Sequence, residues 1–426
     1  MKEVLNRKEA PPVREIDPGN IPEAQSFKLE NGIRVYLIES GNEELIRMEF
    51  TFKAGQIKEE SPLVSTTTNM MLTEGTENYT ADQISSEFDF LGAFPNHSAD
   101  KDTAGFVVYC LNRHVENILR LCREVLFSPV FPEKELDILM KKRLRLFQVN
   151  REKVQNLASD KFFESIFGES HPYGWQVSEN HFTGISSAML SDFHGKYYTP
   201  ENMAVIVSGK IPEELTKLIE LHFGDLSHRV PVADGPEKKP AGSNDRRFRI
   251  KKPGAVQSAI RLGKPTINKR HPDYPGLKVL NTILGGYFGS RLMKNLREEK
   301  GYTYGVHSSL SSLNLSGFMM IATEVNKNVT EKAVDEILKE ITRLQNEPVG
   351  RSELSVVRNY MTGEIIRMFD GPFALAESFK AVWDFGLDNN YYYRLLEKIK
   401  TIEPDEITEL ARTYYKTDEL YEIIAG

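Results

Sequence analysis

The sequence predicts an α+β protein made of two similar domains, each with helices packed on a mostly antiparallel sheet. Both halves of the 426-residue chain mix strands of alternating polarity with long amphipathic helices. The order of these elements in the first half recurs in the second half, which indicates two copies of one domain. A segment rich in Pro, Gly and charged residues, 231–245, separates the copies. We therefore predict an N-terminal domain over 1–230 and a C-terminal domain over 246–426, packed face to face around a cleft.

In the first half, alternating apolar residues predict strands over Ile33–Ile38 and Arg47–Phe52. A helical stretch is expected next, from about Ser61 to Gly75. Gly105–Leu111 is predicted to form another strand, and the apolar run Met203–Gly209 is interpreted as a fully buried one. The strands of the first domain therefore come from both of its ends, with helices between them.

The second half repeats this order of elements. In each half a strand is followed by an amphipathic helix, then by a Pro-Val pair and a further helix. The matching pairs are 105–111 with 317–323, 115–126 with 330–344, and 90–94 with 284–288. The match is weak residue by residue, but its order predicts that the two domains are copies of each other.

The segment Ser290–Gly305 (SRLMKNLREEKGYTYG) carries the most informative motif. Its first serine can cap a helix that Gly301 ends, and the chain then turns into a predicted strand, 302–304. Arg297 and Tyr304 lie seven residues apart on opposite sides of this reversal. A guanidinium and a phenol can thus meet at one edge of a cleft, where their donors suit a peptide carbonyl or an oxyanion. The alternative is a solvated arginine and a tyrosine packed at the rim of a sheet.

The longer segment Leu284–Gly305 (LGGYFGSRLMKNLREEKGYTYG) resembles the second-half signature of the pitrilysin/insulinase-type zinc peptidases, the family that includes mitochondrial processing peptidase. Three further segments match the family: Leu29–Gly32 (LENG), His171–Gly174 (HPYG) and Tyr198–Met203 (YTPENM). The resemblance extends over about residues 25–420. It implies a two-domain fold that forms a clam-like half chamber. It also implies that Arg297 and Tyr304 hold substrate in that chamber.

Catalytic members of that family carry H-x-x-E-H on a first-half helix. The two histidines bind zinc, the glutamate acts as general base, and a third ligand comes from a later helix. The corresponding segment here, Leu63–Thr76, places Thr66 and Met70 at the histidine positions and Asn69 at the glutamate position. None of these side chains can replace the original ones, and the third-ligand region, 139–147, is basic and lacks a carboxylate. We therefore expect no metal and no cofactor on this chain.

Other chemistries find little support in the sequence. Cys110 and Cys122 are too few for a disulfide framework and look like core positions, and the glycines of 285–289 lack a phosphate-binding pattern. The net charge of −7 argues against nucleic acid, and no apolar run is long enough for a membrane span. The basic run 141–145 is interpreted as a solvated or subunit-facing surface. Met1–Ile16 contains no apolar signal region, so a cytoplasmic location is expected.

The resemblance thus predicts a non-catalytic, substrate-positioning subunit of a heterodimeric zinc metallopeptidase, inactive alone. The predicted partners are a zinc-bearing subunit of the same family and a peptide or unfolded segment, with no nucleic acid and no membrane. The alternative is a catalytically silent scaffold or assembly protein of the same fold. A homodimer of the isolated chain is compatible with either function.

Overall fold

The computed structural model describes residues 21–227 and 240–426. Within these ranges the strands form two sheets, one on each side of the predicted linker. The first sheet contains β1 (Gln25–Lys28), β2 (Arg34–Glu39), β3 (Leu45–Phe52), β4 (Phe94–Ala99), β5 (Ala104–Leu111) and β6 (Met203–Gly209). The second sheet contains β7 (Arg247–Ile250), β8 (Gln257–Thr266), β9 (Val306–Ser312), β10 (Gly317–Asn326) and β11 (Tyr421–Ala425).

The two sheets have the same topology. The order of the first is β1-β2-β6-β3-β5-β4, and that of the second is β7-β11-β8-β10-β9. In each sheet one parallel pair, β2 with β6 or β7 with β11, adjoins three successive antiparallel pairs. Strand β1 is an addition to the first sheet. The predicted fold class, two homologous domains with mostly antiparallel sheets, is confirmed.

Fourteen α-helices lie in the described ranges. Those of the first half are α1 (Val64–Met70), α2 (Ala81–Phe90), α3 (Val115–Phe127), α4 (Glu133–Arg151), α5 (Val154–Phe167), α6 (Glu179–Gly184), α7 (Ser187–Tyr197) and α8 (Leu215–Phe223). Those of the second half are α9 (Tyr274–Asn281), α10 (Thr330–Asn346), α11 (Arg351–Arg367), α12 (Pro372–Trp383), α13 (Asn390–Thr401) and α14 (Pro404–Tyr414). None of these helices combines the length and the apolar character that a bilayer crossing requires.

Most predicted elements of the repeat are present. The strand predicted over 105–111 is β5, the helix predicted over 115–126 is α3, and the helix predicted over 330–344 is α10. The helix predicted between Ser61 and Gly75 is shorter, since only α1 and one following 3₁₀ turn form there. The domain boundaries stay a prediction, and residues 1–20 and 228–239 lie outside the described ranges.

Two glycines show which segments of the halves are equivalent. Gly92 follows α2 and precedes the edge strand β4, whereas Gly301 precedes the edge strand β9. Both have positive φ, +61° and +64°, as expected for a glycine that ends a helix. The predicted match of 90–94 with 284–288 is therefore wrong, because the segment 284–288 lies one helical segment too early in the chain.

One helix of each half packs on the sheet of the other half. Helix α5 of the first half packs on the second sheet, where Phe162 and Phe167 share a buried cluster with Phe318 and Ile423. Helix α12 of the second half packs on the first sheet. There the ring of Phe379 lies 5.1 Å from that of Tyr36, and Tyr36 also contacts Trp383 at 5.7 Å. This reciprocal packing holds the halves together as one body.

Polar contacts reinforce the same interface. The Asp102 carboxylate of the first half accepts a hydrogen bond from the backbone amide of Asn314 at 2.9 Å and another from the Tyr173 hydroxyl. Lys380 of α12 pairs with Asp384 at 2.6 Å and lies 4.0 Å from the buried Glu49 of β3. Of these contacts, the Asp102–Asn314 hydrogen bond and the approach of Lys380 to Glu49 cross between the halves, and both would be lost if the halves separated.

Candidate functional site

The helix that carries the degenerate metal positions begins at a residue of unusual conformation. Leu63 has φ +77°, which is uncommon for a residue other than glycine. The backbone amide of Ser65 donates to Oε1 of Glu59 at 2.7 Å, and its hydroxyl donates to the carbonyl of Ala54 at 2.6 Å. Burial raises the pKa of Glu59 to about 7, although backbone hydrogen bonds oppose this shift. A buried carboxyl group thus fixes the start of α1.

The three degenerate positions point in two directions. Thr66 and Met70 lie one turn apart on α1, and Met70 is 39% exposed. Asn69 is fully buried, and its amide donates to the carbonyl of Gly105 at 2.9 Å and to the hydroxyl of Tyr198 at 3.2 Å. Asn69 is therefore a structural link between α1 and β5 and does not face solvent.

An arginine from α4 fills the space beside these positions. Nη1 of Arg143 donates to the hydroxyl of Thr67 at 2.5 Å, and Nη2 donates to that of Thr66 at 2.9 Å. The two hydroxyls in turn donate to the Leu63 carbonyl at 3.2 Å and to the sulfur of Met140 at 3.8 Å. The helix that was expected to hold the third metal ligand therefore does reach α1, but it contributes a cation.

The residues of this site do not fit zinc. They supply a hydroxyl, a carboxamide and a thioether, and a guanidinium lies within hydrogen-bond distance of Thr66. The fixed positive charge of Arg143 would repel a divalent cation. Throughout 21–227 and 240–426, no group of three or more His, Cys, Asp or Glu residues could hold a metal ion. The basic run was interpreted as a solvated or subunit-facing surface; Lys141, Lys142 and Arg145 are exposed, but Arg143 turns inward and is half-buried.

The segment that carries Arg297 and Tyr304 is firmly anchored. Arg291 forms a two-bond ion pair with Glu353 of α11, both bonds at 2.9 Å. Asn295 donates to Glu340 of α10 at 2.9 Å. The hydroxyl of Thr303 donates to the carbonyl of Glu324 in β10 at 2.8 Å. These contacts hold the segment against two helices and one strand.

The local structure of this segment differs from its prediction in two respects. Residues 282–286 and Met293–Glu299 form π-helical turns, which are rare and frequent at functional sites. Ser290 is buried, and its hydroxyl has no partner among the described residues, so the predicted serine cap is wrong. The predicted strand at 302–304 is also wrong, because β9 begins only at Val306.

Arg297 and Tyr304 are both available on the surface of the described chain. The guanidinium of Arg297 lies 4.6 Å from the ring centre of Phe288, a cation–π contact. Phe288 is itself 64% exposed, and Tyr304 is 91% exposed. No hydrogen bond joins the Arg297 and Tyr304 side chains. The structure adds Phe288 to this surface. Its position in a glycine-rich segment, with Gly285, Gly286 and Gly289, could have indicated that its ring is exposed.

Both sheets end in a strand with a free edge. Strand β4 pairs only with β5, and β9 pairs only with β10, in the part of the chain that the structure describes. His97 of β4 is exposed, and its Nε2 lies 3.1 Å from the Thr73 hydroxyl just after α1. A free edge can accept an extended peptide as a further strand. The degenerate helix α1 therefore lies next to a surface that can bind a peptide backbone.

Fold and site together define a two-domain, metallopeptidase-like protein whose first half lacks metal ligands where its class carries them. The family description "Insulinase (Peptidase family M16)" matches residues 34–171, and the description "Peptidase M16 inactive domain" matches residues 184–361. These matches cover about three quarters of the chain. The chain belongs to peptidase family M16 and is a member of that family with a deficient zinc site.

Relatives and solved structures agree with this assignment. The uncharacterized zinc protease YmxG of Bacillus subtilis is 24% identical over 345 residues, 80% of this chain and 83% of that protein. An uncharacterized zinc protease of Rickettsia felis is 23% identical over 401 residues, 92% of each chain. The M16 inactive domain of Pseudomonas fluorescens superposes with a TM-score of 0.84 at 24% identity, over 95% of this chain and 98% of that one. A protease of Helicobacter pylori gives 0.85 at 18% identity, over 95% and 100%.

Proposed function

We propose that this chain is the non-catalytic, substrate-positioning subunit of a heterodimeric zinc metallopeptidase that acts on peptides or unfolded segments. The main support for this proposal is a difference between the two halves in their potential binding sites. At the degenerate metal positions, Arg143 occupies the space beside Thr66. In the second half, Tyr304 and Phe288 are exposed and the half-buried Arg297 stacks on Phe288, all on one firmly anchored segment.

The packing between the halves supports the need for a partner. Helices α5 and α12 each cover the sheet of the opposite half, so Arg297 and Tyr304 are held at a fixed position relative to the first sheet. A second subunit that faces this surface would close a chamber around a peptide. In the proposed pair, that subunit is a family member that supplies the zinc ion, the general base and the attacking water.

In this mechanism the chain contributes hydrogen-bond donors. Arg297 carries a planar set of N–H donors and Tyr304 an O–H donor, and both suit peptide carbonyls. The stacking of Arg297 on Phe288 limits the orientations of the guanidinium before substrate arrives. Donors that are already oriented lower the reorganisation needed in the transition state. Arg297 and Tyr304 therefore act by binding backbone carbonyls near the scissile bond.

The experiment uses the complex purified with a partner that carries H-x-x-E-H. Replacing Arg297 by alanine, or Tyr304 by phenylalanine, should lower kcat/KM for an unfolded peptide by a factor of about 10–1000, the scale for one lost oxyanion-type donor. The exposed Arg394 of α13 provides a matched control, because Arg394→Ala removes the same type of side chain from a different helix. Size-exclusion chromatography of each variant checks that the complex still forms.

The same assay tests the scaffold function. If the chain is a catalytically silent assembly protein, a stable complex forms without peptidase activity. If the complex is active but keeps its full kcat/KM after Arg297→Ala and Tyr304→Phe, the substrate-positioning role is refuted.

A further inference from the structure

The side chain of Arg143 differs from those of its basic neighbours. Lys141, Lys142 and Arg145 of α4 are exposed, whereas Arg143 is half-buried against α1. Its hydrogen-bond partners are the hydroxyl oxygens of Thr66 and Thr67, both neutral groups. These bonds fix the direction of the guanidinium but give it no hydrogen-bonded anionic partner among residues 21–227 and 240–426.

The charge of Glu59 acts on Arg143 electrostatically, but the two side chains form no ion pair. Oε1 of Glu59 is engaged by the amide of Ser65, and no ion pair joins Glu59 or any other carboxylate of 21–227 and 240–426 to Arg143. The charge of Glu59 is itself disfavoured by burial. A partly buried cation that lacks a directly bonded counter-ion is costly, so an anion from outside the chain would bind there favourably.

The surroundings indicate which anion would reach this site. Thr66 and Met70 are accessible from solvent, and the free edge strand β4 lies beside α1 through the contact between Thr73 and His97. An extended peptide paired with β4 would lie beside α1, the helix whose Thr66 and Thr67 bind the guanidinium. The exposed Lys141, Lys142 and Arg145 add positive potential along the same helix.

We propose that Arg143 forms a binding site for a peptide carboxylate at the position of the lost metal site. The carboxylate is either an acidic side chain or the C-terminus of a peptide that lies along β4. Arg143 can donate to it with guanidinium N–H groups that Thr66 and Thr67 do not engage. The site belongs to this chain alone and does not depend on Arg297, on Tyr304 or on a second subunit.

The test uses the isolated full chain and three peptides of one neutral sequence, each with the same fluorescent label. The first has a central glutamate and an amidated C-terminus, the second has glutamine and a free C-terminal carboxylate, and the third has glutamine and an amidated C-terminus. Fluorescence anisotropy gives the Kd of each. We expect the glutamate peptide, the free-carboxylate peptide or both to bind at least about tenfold more tightly than the neutral one, the scale of a charge-assisted hydrogen bond. The peptide that gains affinity identifies the source of the carboxylate.

Two substitutions on the same helix distinguish Arg143 from general positive potential. Arg143→Gln should abolish the preference for a carboxylate, whereas Arg145→Gln, at an exposed position, should retain most of it. Equal affinity of the wild-type chain for all three peptides would overturn the proposal without any variant. An Arg143→Gln chain that keeps the wild-type preference would overturn it as well. Peptidase activity plays no part in this test, so its failure leaves the proposed function untouched.

Discussion

Replacing Phe162 by alanine should destabilise both halves of the chain together. Phe162 lies on α5 of the first half, is fully buried, and packs on the second sheet with Phe318. Its ring lies so close to Gly263 of β8 that a Cβ on that glycine would be 2.9 Å from the ring Cζ. A cavity against a strand backbone cannot easily collapse. We therefore expect a loss of about 4 kcal/mol, within the usual range of about 3–5 kcal/mol for Phe→Ala in a core.

The expected change in Tm follows from this loss of stability and the unfolding entropy, which scales with chain length. An unfolding entropy of about 2.1 cal/mol/K per residue gives about 0.9 kcal/mol/K for one cooperative unit of 426 residues. The expected fall in Tm is then about 4 °C. Phe90→Ala provides the matched control, because Phe90 is 85% exposed and should shift the Tm by less than about 1 °C.

The two tryptophans of the chain make the assay specific. Trp383 lies on α12 and contacts Tyr36 of the first sheet, at an interface to which Phe162 does not belong. In a Trp175→Phe background, fluorescence therefore reports Trp383 alone, and circular dichroism reports the whole chain. We expect Phe162→Ala to lower the transition temperature of both signals by the same amount. A Trp383 transition that stays at the wild-type temperature, while the circular dichroism curve splits in two, would show that the halves unfold independently.

Three further predictions concern buried groups. Burial raises the pKa of Glu59 to about 7, so the carboxyl group keeps its proton up to a higher pH in the folded chain than in the unfolded chain. The stability that this proton contributes is complete below about pH 4.5 and is lost as the pH rises through 7. Glu59→Gln should therefore gain up to about 3 kcal/mol relative to wild type between pH 5 and 8 in urea titrations, and a constant difference would contradict this. Restoring H-x-x-E-H over 66–70 gives a chain whose zinc affinity can be measured by titration. That affinity should be at least about tenfold higher when Arg143 is also replaced by alanine, because the guanidinium repels the metal. Equal zinc affinities of the two chains would contradict this. Cys110 and Cys122 are fully buried, and burial raises both thiol pKa values, that of Cys110 to about 12; neither should react with a thiol reagent until the chain unfolds, and fast labelling of the native chain would contradict their core positions.

The elements with a strong apolar pattern could be predicted from the sequence. Helices α3 and α10 are amphipathic along their whole length, and β6 is an apolar run of strand length, so local pattern and burial agree. Which sheet a helix covers could not be predicted in this way. The sequence of an apolar helix face is the same whether the helix packs on the sheet of its own half or on that of the other. In the structure, α5 and α12 both pack on the sheet of the other half.

The metal positions illustrate the same limit. The identities of Thr66, Asn69 and Met70 suffice to exclude the zinc ligands of the family, because that conclusion depends on side-chain chemistry alone. The inward turn of Arg143 depends on the rotation of α4 relative to α1, a contact between residues 77 positions apart. Within a run of basic residues, the pattern alone does not distinguish the one that faces the protein.

The predicted strand at 302–304 failed for a related reason. Its alternating residues suit a strand, but the Thr303 hydroxyl binds the backbone carbonyls of Gly305 and Glu324. These bonds hold the segment in an irregular conformation beside β10, and β9 pairs only from Val306. Tyr304 therefore projects from a fixed loop with 91% of its surface exposed, an environment that a local pattern does not encode.

The most direct test of the central claim is affinity capture of the tagged chain from its native cells, followed by mass spectrometry and a peptidase assay of the eluate. We expect a near-stoichiometric partner of the same family that carries H-x-x-E-H. We also expect zinc-dependent cleavage of an unfolded peptide, and much less cleavage when the tagged chain is Arg297→Ala. A chain that is recovered alone, or with an unrelated complex that has no peptidase activity, would contradict the claim that it serves as one half of a peptidase.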